Sequence, residues 1–281
     1  MKKSFILGSL ASLGLLSSAP AAALFGVTTD NQLVSFDTSS PSTFLSSFSI
    51  TGLFDGDGVT PNPNGSILNL TARPGVNPGE YSLYGIDNNA NFYQISLNGV
   101  ATLVSSGFTP AGFSAGFAYD PFNDNFVFGD DTGGNYSITT AGAVTTNANF
   151  TYAGGGTPSI FGMGIDPSFG TVFVIDAETD TLSTTFDPLF PSSGELTQVG
   201  SLGIDVTSFG GLVVDWDGNI FASLSVDGLT SSLYSIDPLT GAASPLGGFG
   251  GNGLVTVAVP EPSAALLGCL GALALLRRRR A

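Results

Sequence analysis

The chain has 281 residues, 22 of them acidic and seven basic, with no histidine and a single cysteine, for a formal charge of −15. Six of the seven bases are Lys2, Lys3 and Arg277 to Arg280, so the body of the chain is acidic apart from Arg73. Such a body repels phosphate backbones and anionic headgroups, which excludes nucleic acid as a partner and argues against peripheral membrane binding by the domain. Cys269 lies in the C-terminal apolar stretch, so no intrachain disulfide can form.

Met1-Lys2-Lys3, the apolar run Phe5 to Leu16 and the small residues Ala19 to Ala23 have the three regions of a secretory signal peptide. Ala21 and Ala23 occupy the two small-residue positions of the cleavage site, so signal peptidase is an expected partner and Leu24 the expected first residue of the mature protein. From there to residue 258 the chain is rich in β-branched and aromatic residues in short runs between glycine turns. No run has the 3.6-residue apolar period of a helix, which predicts an all-β domain.

A unit of four short strands recurs along this domain. The first copy, residues 24–50, holds only three: Leu24 to Thr28, Gln32 to Asp37 and Ser42 to Ser46. Further copies are read at 67–104, 116–146, 162–199 and 211–246. The last is the clearest: Gly211 to Asp215, the turn Trp216-Asp217-Gly218-Asn219, Ile220 to Leu224, Ser232 to Ile236, the turn Pro238 to Gly241, and Ala242 to Leu246. The first strands end at Arg73, Asp120, Asp166 and Asp215, spaced 47, 46 and 49 residues apart. Four strands in about 40 residues is the signature of a propeller blade. The strand missing from the first copy turns up at the other end as Gly253 to Val257. These features predict a five-bladed β-propeller, closed by pairing a C-terminal strand with the N-terminal ones and so freed of exposed sheet edges.

Without histidine, lysine or cysteine in the domain, most general-base and nucleophilic mechanisms lack their usual side chains. Paired carboxylates across a central pocket, as in glycoside hydrolysis, are the enzyme chemistry that remains. The alternative is a non-enzymatic binding or structural protein, and the sequence favours it, because nearly all of the 18 aspartates sit in turn sequences. Three acidic clusters could be read as calcium sites: Asp55-Gly56-Asp57-Gly58, Asp130-Asp131-Thr132-Gly133 and Asp215-Trp216-Asp217-Gly218-Asn219. None completes a calcium-binding loop and all suit tight turns, so no metal or cofactor is expected. Arg73, as the lone base, is expected to pair with Asp120, Asp166 and Asp215 around the channel mouth; otherwise each aspartate caps its own turn and Arg73 faces solvent.

At the C-terminus, Pro260-Glu261-Pro262 precedes the apolar run Ala264 to Leu276 and then Arg277, Arg278, Arg279 and Arg280. Thirteen apolar residues are fewer than the roughly 20 that span a bilayer comfortably, but enough for transient anchoring in the inner membrane with the arginines held cytoplasmic. This segment, 259–281, resembles the PEP-CTERM sorting signal of Gram-negative bacteria. The resemblance implies recognition at Pro260-Glu261-Pro262 by a membrane enzyme of the exosortase type, in species that make extracellular polysaccharide. It implies a protein at the outer surface or in the extracellular matrix, with that polysaccharide as a candidate ligand. In a bacterial chain the four sequons, beginning at Asn64, Asn69, Asn135 and Asn149, read as chance matches.

The segments Leu24 to Asp37, Gly203 to Thr207 and Leu233 to Ala243, the last reading Leu-Tyr-Ser-Ile-Asp-Pro-Leu-Thr-Gly-Ala-Ala, are similar to a family of bacterial secreted domains with no assigned function. That resemblance supports the propeller and implies no chemistry. The copy around Ala72-Arg73-Pro74 departs from the pattern, having arginine where the others have aspartate.

Overall fold

In the computed structural model, which describes residues 23–77, 79–185 and 190–260, every regular element is a strand. The first blade opens with β1 (Ala23–Thr28), β2 (Gln32–Asp37) and β3 (Phe44–Ser49), and the second is β4 (Ile67–Pro74), β5 (Tyr81–Asp87), β6 (Phe92–Ile95) and β7 (Ala101–Ser105). The third is β8 (Ala115–Asp120), β9 (Asn125–Asp130), β10 (Asn135–Thr139) and β11 (Val144–Thr146). The fourth holds β12 (Thr151–Tyr152), β13 (Ile160–Ile165), β14 (Val172–Asp176), β15 (Thr181–Thr185) and β16 (Glu195–Ser201). The fifth is β17 (Gly210–Val214), β18 (Ile220–Leu224), β19 (Ser232–Ile236) and β20 (Ala243–Gly248), and β21 (Leu254–Ala258) returns to the first.

These strands form five small sheets, the blades of a five-bladed β-propeller. Ring closure follows the expected pairing: β21 lies antiparallel to β1, with Gly26 opposite Val257 and Val27 opposite Thr256. The innermost strands β4, β8, β13, β17 and β21 pack side by side in a closed ring. Among them β13, Ile160–Ile165, is buried along its whole length. One element was not anticipated. The two-residue β12 adds a fifth, parallel strand to the fourth blade, beside β16; two residues are too few to show a period.

Close approach at the axis depends on small residues. A Cβ on Gly116 would lie 2.6 Å from the Met163 backbone nitrogen, and one on Gly164 3.0 Å from that of Val214. Because adjacent inner strands do not share a ladder, threonine hydroxyls bind them instead. Thr71 Oγ1 accepts from the Tyr119 amide at 3.2 Å and Thr256 Oγ1 from the Leu70 amide at 3.1 Å.

The core is divided between blades rather than gathered at one centre. Each cluster joins facing sheets: Leu24, Val34, Phe36, Leu233, Phe249, Leu254 and Val257 pack the closing strand between first and fifth blades. Phe92, Phe117 and Phe126 are among the aromatic residues that fill the space between second and third.

Candidate functional site

The inner strands all run the same way, giving the ring a face where they start and a face where they end. The axial channel at the end face is a poor site. It encloses only about 50 Å³ and is lined by backbone and by apolar side chains such as Phe117, Met163, Leu212 and Val257, with no carboxylate. By the same measure one water needs about 10–15 Å³, so the channel holds a few waters at most.

The four residues expected to converge here do not do so. The lining takes the residues on either side, Pro74, Pro121, Pro167 and Trp216 after them and Ala72, Tyr119, Ile165 and Val214 before them. Strand alternation turns the intervening position away. Arg73 instead reaches sideways to the next blade, where its Nε and Nη2 donate to the two Asp124 oxygens at 2.9 and 3.1 Å. Its guanidinium also lies 5.9 Å from the centre of the Tyr119 ring, whose hydroxyl donates to Asp124. Both partners of the ion pair are substantially solvent-exposed. The Arg73 guanidinium holds the Asp124 carboxyl below its usual range, while burial, and then Asp124, push the Tyr119 hydroxyl up to about 12.

Asp120, Asp166 and Asp215 cap their own turns, accepting from the amides of Phe122, Ser168 and Asp217. This explains the arginine at the second-blade position. There β4 continues past residue 73, pairing Arg73 with Ser82 and Pro74 with Tyr81. The turn comes later, so no capping carboxylate is needed at 73.

The acidic clusters prove to be turn-formers too. Asp57 Oδ1 accepts from the Val59 and Thr60 amides and Oδ2 from the Thr60 hydroxyl; these bonds hold its carboxyl below the usual range. Asp215 takes the Asp217 and Asn219 amides and the Asn219 side chain. Among the described residues no three acidic, histidine or cysteine side chains gather as a cation site would require.

The start face is different. Its connections between blades are long, and two of them meet across the ring mouth where Ser114 Oγ donates to the Ser208 carbonyl at 2.9 Å. Beside this contact lies a hollow of about 170 Å³, bounded by Leu68, Phe113, Phe161, Phe209 and Val255 from all five blades, with Asn69, Ser114 and Ser208 as its polar members. Leu68, Asn69 and Phe113 also border a second hollow of about 180 Å³, with Asp87, Asn88 and Asn89 on its far side.

Phe113 stands between the two and is 88% exposed, an unusual state for a phenylalanine. Its backbone is held from below by the acidic pair at the end of β9. Gly112 donates its amide to Asp130 Oδ2 at 3.0 Å, and Phe113 donates to Asp131 Oδ1 at 3.1 Å. Asp130 is wholly buried and also accepts from the Thr132 and Gly134 amides. Glycine at 112 suits this arrangement, since a Cβ there would push the Asp131 carboxylate out of its place. The Asp130-Asp131 motif was legible in the sequence, but the residue it presents was not, because the bonds run back 18 residues.

A buried polar network supports the second hollow. Tyr93 Oη accepts from the Phe54 amide and donates to Asp87 Oδ2, while Asn91 Nδ2 donates to the carbonyls of Phe54 and Asp55. The network pins the connection between the first and second blades. Burial raises the Asp87 carboxyl above its ordinary value and pushes the Tyr93 hydroxyl up to about 12.

Residues 32–258 match the family described as Domain of unknown function (DUF4394). No curated protein matches the chain. Similar solved structures include a protein of unknown function from Bacteroides thetaiotaomicron, 16% identical over 79% of this chain and 50% of that one, with a TM-score of 0.46. A catalytically inactive virginiamycin B lyase from Staphylococcus aureus with quinupristin is 12% identical over 82% and 71% of the two chains, with a TM-score of 0.44. An auxiliary nutrient binding protein from Bacteroides thetaiotaomicron is 12% identical over 77% and 56%, with a TM-score of 0.45. The chain thus spans half the length of the first of these. Likenesses this distant carry nothing about chemistry.

Proposed function

The chain belongs to the DUF4394 family of domains of unknown function, and for this member we propose an exported, non-enzymatic binding protein that holds extracellular polysaccharide at its start face. Phe113 carries the reading. An exposed aromatic ring, on a backbone held by two amide-to-carboxylate hydrogen bonds at the rim of a hollow with asparagine and serine around it, offers what a sugar needs. The ring face takes the C–H surface of the sugar, and the amides and hydroxyls take its hydroxyls. A glycan array probed with the purified protein tests this. Phe113→Ala should weaken the binding by about tenfold or more, and chelating calcium should leave it unchanged. Failure to bind any glycan would overturn the assignment.

Delivery to the outer surface or matrix rests on the two ends, residues 1–22 and 261–281, which lie outside the described residues. Here we read the C-terminal segment as the sorting signal that it resembles: an exosortase-type enzyme acts at Pro260-Glu261-Pro262 after transient anchoring by Ala264 to Leu276. Among the described residues no helix is long and apolar enough to cross a membrane. Replacing Glu261 with alanine should leave the circular dichroism of the domain intact while uncleaved protein accumulates in the membrane fraction. Normal release of that variant would remove the sorting reading.

A further inference from the structure

Hairpin turns in a soluble domain are normally polar, yet the turns that follow three adjacent inner strands present bare apolar side chains on the end face. Val76 is 99% exposed, Phe122 61% and Phe169 73%. Two of these turns touch. The Phe122 ring lies against Gly170 of the neighbouring turn, 3.2 Å from where a Cβ would stand. Trp216, the only tryptophan, is half-buried in the turn after the next inner strand and borders the channel mouth together with Val259.

Both chain ends leave from this same face. Phe25 near the start of β1 pairs with Ala258 at the end of β21, and Val259 and Pro260 follow directly. Four residue steps separate Pro260 from Ala264, where the apolar run begins. Fully extended they reach about 14 Å, and one headgroup layer is about 5–8 Å deep. Insertion of that run therefore holds the end face at the membrane surface whether or not the face has any affinity of its own.

We propose that the end face is the surface this protein lays against a zwitterionic phospholipid bilayer while its C-terminal segment is inserted, with Val76, Phe122 and Phe169 entering the headgroup layer. The proposal rests on the anchoring step described above. It directs the Phe113 hollows, on the opposite face, away from the membrane. Charge selects the lipid. Arg73 is paired with Asp124, and Glu80 and Asp217 remain exposed on the end-face turns, so anionic headgroups are repelled and the tether rather than charge supplies proximity.

Trp216 is a built-in reporter. The full chain is reconstituted into phosphatidylcholine vesicles with and without bromine on the acyl chains, and flotation and Trp216 emission are measured. The expected result is that the chain floats with the vesicles and loses emission over brominated lipid. In the Val76→Ser/Phe122→Ser/Phe169→Ser variant the quenching should disappear while flotation and the melting temperature stay unchanged, and anionic lipid should reduce the quenching of the wild type. A chain that floats with Trp216 unquenched overturns the docking and leaves the anchoring intact. A chain that does not float removes the anchoring reading and this proposal with it. Dimers of the detergent-solubilised chain that the triple substitution dissociates would overturn the proposal in favour of a second copy as the occupant.

Discussion

Arg73 shows how a lone charge is placed by its neighbours rather than by its rarity. Its pair with Asp124 is exposed and bridges two blades, the geometry in which ion pairs contribute about 0–1 kcal/mol. Arg73→Met should therefore cost no more than about 1 kcal/mol in urea denaturation, and a larger loss would mean that the guanidinium serves another, buried partner. Asp87 has the opposite character. Burial raises its folded-state pKa above 3.8, so the native state holds its proton more tightly than the unfolded chain does. The associated stability is present below pH 3.8 and is lost as pH rises through the raised value. Asp87→Asn lacks this titration. The stability of wild type minus that of the variant should fall as pH rises through this window; a difference independent of pH would show that the hydrogen bonds from Asn89, Asn91 and Tyr93 offset the burial completely.

At the scale of elements, the inner strands set the tolerance of the ring. Gly116 faces backbone of β13 and not a yielding side chain, so Gly116→Val should overpack the axis and cost about 1–3 kcal/mol or more. The same substitution at Gly154, where nothing lies within 4 Å, should be far milder. Comparing the two melting temperatures checks whether axial crowding, rather than strand propensity, limits this fold. The connections between blades follow a different rule. They are held by side chains of the blades below, as Asp130 and Asp131 hold Gly112 and Phe113. Asp131→Ala should leave the melting temperature within about 0.5 kcal/mol equivalent of wild type while reducing glycan binding, a separation that a purely structural role would not produce.

For the molecule as a whole, the closing strand decides whether five blades make a ring. Leu254, Val257 and Ala258 are almost completely buried, and burial of each larger side chain stabilises by about 1.5–3 kcal/mol. Removing residues 253–258 should lower the melting temperature sharply and expose the edge of β1 to association. An unchanged melting temperature would refute closure by this strand. With no disulfide to staple it, the ring depends on this one joint.

The amino-acid sequence by itself determined the blades. A strand's period of two, the Asp-containing turns and the spacing of 46 to 49 residues between equivalent positions are local properties, and so are the strand missing from the first copy and the extra one after the last. The family resemblance read from Leu24 to Asp37, Gly203 to Thr207 and Leu233 to Ala243 was local as well, and the match of residues 32–258 bears out its coarser part, a family of domains with no assigned function. Only the tertiary structure decided which way the ends of the inner strands point, and so sent Arg73 to Asp124 instead of to three aspartates at the channel mouth. It alone brought Phe113 to the rim of a hollow shared by five blades and set three apolar turns on the face from which the chain ends depart. The reason is one of range. Turn and strand chemistry acts over a few residues, whereas both faces of a propeller are assembled from segments about 45 residues apart, whose meeting depends on the packing and twist of whole sheets.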